Sequence, residues 1–184
     1  MRDVPATKDP AMTDTVQFAP LSRAATLRLM SFAPRTPADP APVTLGGDTL
    51  PARVGETLPG DVRALCIAPR EWLLVADKVP AFGIVQHLQA ELPAQEVLLA
   101  DLSDGLVAFT VSGTHARALL AKGSGVDFHP DHFPPGHCAR TRFAQVPAVI
   151  ECLAPDRFEL TISRSYRYYL NLWFQDAILE FQPR

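Results

Sequence analysis

The chain has 184 residues, 47% of them hydrophobic and 20% charged, with a formal net charge of -3. That length and mix suit one domain with its own core plus a tail. The slight negative charge excludes steering towards nucleic acid or an anionic membrane, and no apolar run approaches the roughly 20 residues that cross a bilayer.

Residues 1–18 carry charges and prolines but no apolar signal-peptide region, so they read as a disordered tail and a cytoplasmic location is expected. Cys66, Cys138 and Cys152 are far apart and form no C-x-x-C pair. This favours free thiols in a reducing compartment over a disulfide framework. Residues 19–184 read as a single domain. Within it, Ala24 to Phe32 alternates apolar and polar side chains and predicts an edge strand. Prolines 34, 37, 40, 42, 51 and 59 then interrupt any helix. Residues 34–59 are therefore expected to form a proline-rich extended arm that gains order only by lying on another surface.

From Val62 the pattern tightens. ALCIA and EWLLVA predict a strand pair turning at Pro69-Arg70. Pro80 opens a helix whose apolar stripe is Ile84, Val85, Leu88 and Leu92, with Pro93 as its stop. Val97 to Leu102 and Leu106 to Val111 predict a hairpin around Ser103-Asp104-Gly105, because Asp-Gly tolerates positive φ. Ser112 or Thr114 caps a short helix with Ala116, Leu119 and Leu120 inward and Gly123 at its end. His137 to Ala144, Ala148 to Leu153 and Phe158 to Ile162 predict three more strands, with turns marked by Pro147 and Pro155-Asp156. Ser163 or Ser165 caps a last helix, whose wide aromatic stripe is Tyr166, Tyr169, Leu170, Trp173, Phe174, Ala177, Ile178 and Phe181. Strand pairs interrupted by helices predict an α+β fold of mainly antiparallel sheets with covering helices. The order of elements from Ala64 to Ser112 hints at a split βαβ unit.

Candidate chemistry concentrates in few places. Asp127, His129, Asp131, His132, His137 and Cys138 have atoms that bind transition metals, but their spacing matches no short ligand motif. A polar turn with hydrogen-bonded or solvated histidines is the better reading. A Cys138–His–Asp nucleophilic set can be assembled from the same residues, as in almost any chain with free thiols. Neither a dinucleotide fingerprint nor a phosphate loop occurs. Arg140, Arg142, Arg164 and Arg167 cluster around strand starts and the last helix. Their guanidinium forks suit either carboxylates on a neighbouring subunit or local surface ion pairs. Tyr166 and Tyr168 join them as interface candidates. Trp173 and Phe174 fit core packing better.

A resemblance rests on several segments together: APREWLLVA (68–76), DLSDGL (101–106), SGTHARALLAKG (112–123), VDFHPDHFPPGHCARTRF (126–143), FELTISRSY (158–166) and YLNLWFQDAILEF (169–181). In combination they resemble the gamma subunit of heterotetrameric sarcosine oxidase. That family is similar to a shortened folate-binding fold of glycine-cleavage T-proteins, echoed here in DLS…VSGTHARALL. The resemblance implies alpha, beta and delta partner chains. It also implies a complex that oxidatively demethylates sarcosine to glycine and hydrogen peroxide, releasing the one-carbon unit as formaldehyde or passing it to tetrahydrofolate. FAD, FMN, NAD, tetrahydrofolate and zinc are then expected on the partners, with no cofactor, metal or catalytic residue on this chain. T-proteins place an acidic residue near the folate, whereas the comparable stretch here offers Gln145, with Glu151 beyond the expected place. The rival readings are a stand-alone folate-binding module or one-carbon transferase, and a gamma-like subunit serving a related amine such as dimethylglycine or a betaine.

Overall fold

The computed structural model describes residues 16–32, 43–92 and 96–182. Most of the expected tail, the first part of the expected arm and Pro93 lie outside the described residues.

The strands pair into two five-stranded antiparallel sheets, each with one face towards helices and one towards the other sheet. The first runs β1 (Gln17–Leu21), β9 (Leu106–Ser112), β12 (Arg157–Ser163), β11 (Val146–Ala154), β10 (His137–Phe143). The second runs β5 (Thr57–Leu58), β6 (Val62–Ala68), β7 (Glu71–Ala76), β2 (Ala25–Ser31), β8 (Val97–Asp101). A small hairpin joins β3 (Thr44–Leu45) to β4 (Asp48–Thr49). Helices α2 (Ala116–Gly123) and α3 (Arg167–Ala177) cover the first sheet, burying Leu119, Leu120, Leu170 and Phe174 against Phe109, Ile150, Phe158 and Leu160. Helix α1 (Ala81–Glu91) covers the second sheet through Ile84 and Leu88. The uncovered faces meet through Leu65, Ile67, Leu73, Val75 and Cys138. The layers thus run helices, sheet, sheet, helix.

Strand β2 lies between β7 and β8 and is antiparallel to both. Strands β7 and β8 are therefore parallel and linked by α1, which is the expected split βαβ unit. Strand β2 is central, not an edge. Its Ala25, Leu27 and Leu29 are wholly buried, because an apolar stripe on a strand is satisfied best where both neighbours are paired.

The expected hairpin at Ser103-Asp104-Gly105 does not form. The Leu102 N–H donates to the Thr26 carbonyl (2.9 Å) and the Thr26 N–H to Ser103 Oγ (3.0 Å). These bonds anchor the chain to β2, after which β9 enters the first sheet. The folded part also starts earlier than the expected residue 19, since Phe18 stacks on Phe174 at 4.9 Å and Val16 is buried. Residues 43–59 cover this chain's own core. Leu50 is buried, Trp72 Nε1 donates to the Pro51 carbonyl (2.8 Å), and β5 pairs with β6. The arm therefore gains its order from the chain itself over that stretch.

Helix ends differ from expectation too. Pro80 sits at the position before α1, one residue earlier than predicted, and no serine or threonine side chain caps α2 or α3. The β10–β11 turn is made by Ala144 and Gln145, at φ of 45° and 70°, while Pro147 lies in β11 opposite Arg142. Pro155 and Asp156 do mark the β11–β12 turn.

Candidate functional site

Two polar regions stand out: a charged layer between the sheets, and a groove that opens beside it. The layer arises from strand periodicity. Ile150 and Cys152 point to the helices, so Glu151 must point to the second sheet; Leu160 and Ile162 do the same to Glu159 and Thr161. From the other sheet Arg63 reaches across. Its Nη2 lies 2.5 Å from Glu159, its Nε 3.3 Å from Glu151 and its Nη1 3.2 Å from Asp77. Arg23, in the β1–β2 connection, adds an ion pair to Glu159 and a hydrogen bond to Thr161 Oγ1 (2.8 Å).

Burial sets the electrostatics. Removal from water and the charge of Glu159 push the Glu151 carboxyl above the usual carboxylate range, with Arg63 opposing. Burial works against the Arg63 charge, but Glu151, Glu159 and Asp77 outweigh it and raise its pKa. Glu151 and Glu159 hold the two sheets together and are not presented to solvent, whereas Asp77 stands at the half-exposed edge of the layer. A folate-type site needs an acidic group facing a ligand. Glu151 instead faces Arg63, and Gln145 sits on an exposed turn. The residues of that stretch do not fit the role.

The His/Asp/Cys segment separates. Arg117 of α2 donates to the carbonyls of Phe128 (2.5 Å), Phe133 (3.0 Å) and Pro155 (2.9 Å), folding the 126–136 loop around its guanidinium. His129 and His132 lie on the outside of that loop, and His132 pairs with Asp127. Cys138 points into the intersheet layer, where burial, then the charges of Glu151 and Cys66, push its thiol up to about 12. Such a thiol is no nucleophile near neutral pH. Among the described residues no three metal-type side chains converge.

The interface candidates fall into three places. Arg140 joins Glu71 at 3.4 Å, and Glu71 also pairs with Arg28 at 2.8 Å; Tyr166 lines the same cleft, of about 240 Å³. Arg142 donates to the Gln145 carbonyl (2.8 Å) and stands apart. Arg164, Arg167 and Tyr168 share one groove. Its inner part, about 300 Å³, is lined by Ser22, Arg23, Ser103, Arg164 and Arg167, among others. Its outer part, about 350 Å³, adds Ser165, Tyr168 and Asn171, and shares Pro20, Phe109, Arg164 and Arg167 with the inner part. Arg164 Nε donates to the Asp104 carbonyl at 2.5 Å, with the Asp104 carboxylate 4.0 Å away. Arg167 is exposed and makes no ion pair among the described residues. Sequence reasoning had named the outer arginines but missed Arg23, Arg63 and Glu159. Glu159 had a signal, a polar face of Arg157, Glu159, Thr161 and Ser163 opposite apolar Phe158, Leu160 and Ile162; Arg63, alone on an apolar strand, and Arg23, in a connection, had none.

Fold and site define an α+β domain of the T-protein type, with its buried carboxylates ion-paired internally and an open cationic groove. Its fold is similar to glycine cleavage system aminomethyltransferase T from Bartonella henselae (TM-score 0.58, 17% identity), matching 87% of this chain and 45% of that one. It is also similar to a chain of heterotetrameric sarcosine oxidase from Corynebacterium sp. U-96 in complex with pyrrole 2-carboxylate (TM-score 0.76, 23% identity), over 92% of this chain and 86% of that one. In sequence it is 29% identical over 170 residues to sarcosine oxidase subunit gamma of Corynebacterium sp. (strain U-96), covering 86% of this chain and 82% of that protein. The model of the sarcosine oxidase gamma subunit family matches residues 37–180. The chain belongs to the sarcosine oxidase gamma subunit family.

Proposed function

We propose that the chain is a non-catalytic accessory subunit of a heterotetrameric sarcosine oxidase. Its work is physical: it buries surface on larger alpha, beta and delta chains and completes the assembly. On this reading FAD, FMN, NAD, tetrahydrofolate and zinc belong to those partners. The complex converts sarcosine to glycine and hydrogen peroxide in the cytoplasm and passes the one-carbon unit to tetrahydrofolate.

One observation carries the reading. Glu151, Glu159 and Cys138 are engaged inside this chain, while its exposed surface keeps Arg164, Arg167, Tyr166 and Tyr168 open. Arginine and tyrosine are the residue types enriched at subunit interfaces. Co-expression with the neighbouring genes and gel filtration test the proposal. The expected result is co-elution with the larger chains. A chain that elutes alone, beside an oxidase fully assembled without it, contradicts the proposal.

A further inference from the structure

The groove beside α3 has a chemistry of its own. Three arginines line it, Arg23 at the inner end and Arg164 and Arg167 at the mouth, and no carboxylate is among its lining residues. Arg23 is already neutralised by Glu159, and its side chain is only 6% exposed. Its buried Nε has no hydrogen-bond partner among the described residues and lies 3.9 Å from the Asp77 carboxylate. Arg167 has no opposing charge among the described residues, and Arg164 reaches only the edge of Asp104. On a chain of net charge -3 this is a local excess of positive charge. Arg140, by contrast, is already joined to Glu71, so the four outer arginines are not equivalent.

We infer that this groove receives an acidic segment of a partner chain, lying extended between the β1 end and the start of α3. The inference rests on the accessory-subunit reading above. Carboxylate side chains match the planar forks of Arg164 and Arg167, which can hold an oxygen pair each. Ser165 and Asn171 offer hydroxyl and amide groups to the segment's backbone. Tyr168, 76% exposed, and Pro20 give it an apolar wall. The site is open and its two parts run into each other, which suits a chain segment better than a small molecule, whose pockets enclose most of the ligand surface.

The experiment uses the full chain and measures its affinity for the co-expressed larger subunits at several salt concentrations. The R164E/R167E variant reverses both mouth charges. R53E/R157E is the control, with the same change of charge at exposed positions outside the groove. The single variant R167E guards against misfolding, because Arg167 has no ion pair to lose among the described residues. The expected result is that R164E/R167E weakens association on the order of tenfold or more and flattens its salt dependence. R167E should follow in the same direction and the control should bind like wild type. Unchanged affinity of the groove variants, with wild type still bound, overturns this inference alone. Equal weakening by the control also overturns it, because the effect would then be one of overall charge. Failure of wild type itself to associate overturns the accessory reading and this inference with it.

Discussion

Glu151 and Glu159 stand directly opposite each other on β11 and β12, each 2% exposed, and Arg63 of the other sheet reaches both. Like charges at such positions repel. The pair is tolerated because Arg63 and Arg23 lie over it, and the two are not equivalent. Glu159 receives both arginines, Glu151 chiefly one.

Replacing Glu159 with Gln leaves buried Arg23 with only Asp77 at 3.9 Å, while Arg63 keeps Glu151 and Asp77. The change is expected to cost about 3 kcal/mol. Replacing Glu151 with Gln should cost clearly less. The pH dependence separates them further. The folded chain holds the Glu151 proton to higher pH than the unfolded chain does. Ionising it thus removes stability as pH rises from the usual carboxylate range through the raised value, and E151Q should flatten that fall. Urea unfolding at several pH values checks both points. An E151Q variant as damaged as E159Q contradicts the asymmetry.

Gly123 ends α2 under the ring of Phe143. A Cβ there would lie 2.6 Å from two ring carbons, and Phe143 is wholly buried. The glycine is needed for close approach and not for a left-handed stop, since the backbone only turns extended at Ser124. Gly123→Ala should destabilise the chain by about 1–3 kcal/mol through overpacking, read from the urea midpoint. Unchanged stability would show that the ring has room to move.

Gln145 is exposed and held at φ 70° in the β10–β11 turn. A side chain in that region costs about 1 kcal/mol, which glycine avoids at some loss of unfolded-chain order. The Gln145 carbonyl that accepts from Arg142 is kept in Gln145→Gly. A gain of roughly 0.5 kcal/mol in thermal unfolding is expected. A loss would mean that the glutamine side chain stabilises the turn in its own right.

Cys66, Cys138 and Cys152 are all buried and reduced, and burial raises each thiol. Native protein at pH 8 should leave a thiol-specific disulfide reagent unreacted on the time scale of minutes. Denatured protein should react at all three cysteines. Rapid labelling of Cys138 in the native state would contradict its place between the sheets.

Much of the fold was legible because local patterns dictate it. EWLLVA and FELTI are strands by composition, Ile84 and Leu88 mark α1, and Leu170 and Phe174 mark α3. Partner choice among strands was not legible. Ser103-Asp104-Gly105 carries the signs of a hairpin, yet bonds from β2 hold that turn and send β9 to the other sheet. No local rule announces a contact 77 residues away. The charged layer was hidden for a related reason. Glu159 lies on a polar strand face that reads as solvated, Glu151 and Arg63 are single charges among apolar residues, and only the packing of a second sheet brings the three together. Arg164, Arg167 and Tyr168 were named from composition near the last helix. Their shared groove depends on how β1 and α3 meet, and the internal pairing of Arg140 with Glu71 on how β10 faces β7 of the other sheet.

The most direct test of an accessory role is sarcosine-dependent oxygen uptake, measured for the larger subunits prepared with and without this chain, and for this chain alone. An accessory role predicts no uptake and no flavin absorption from the lone chain, and reduced or unstable uptake from the larger subunits without it. Oxygen consumption by the lone chain, or full and stable turnover in its absence, would contradict that role.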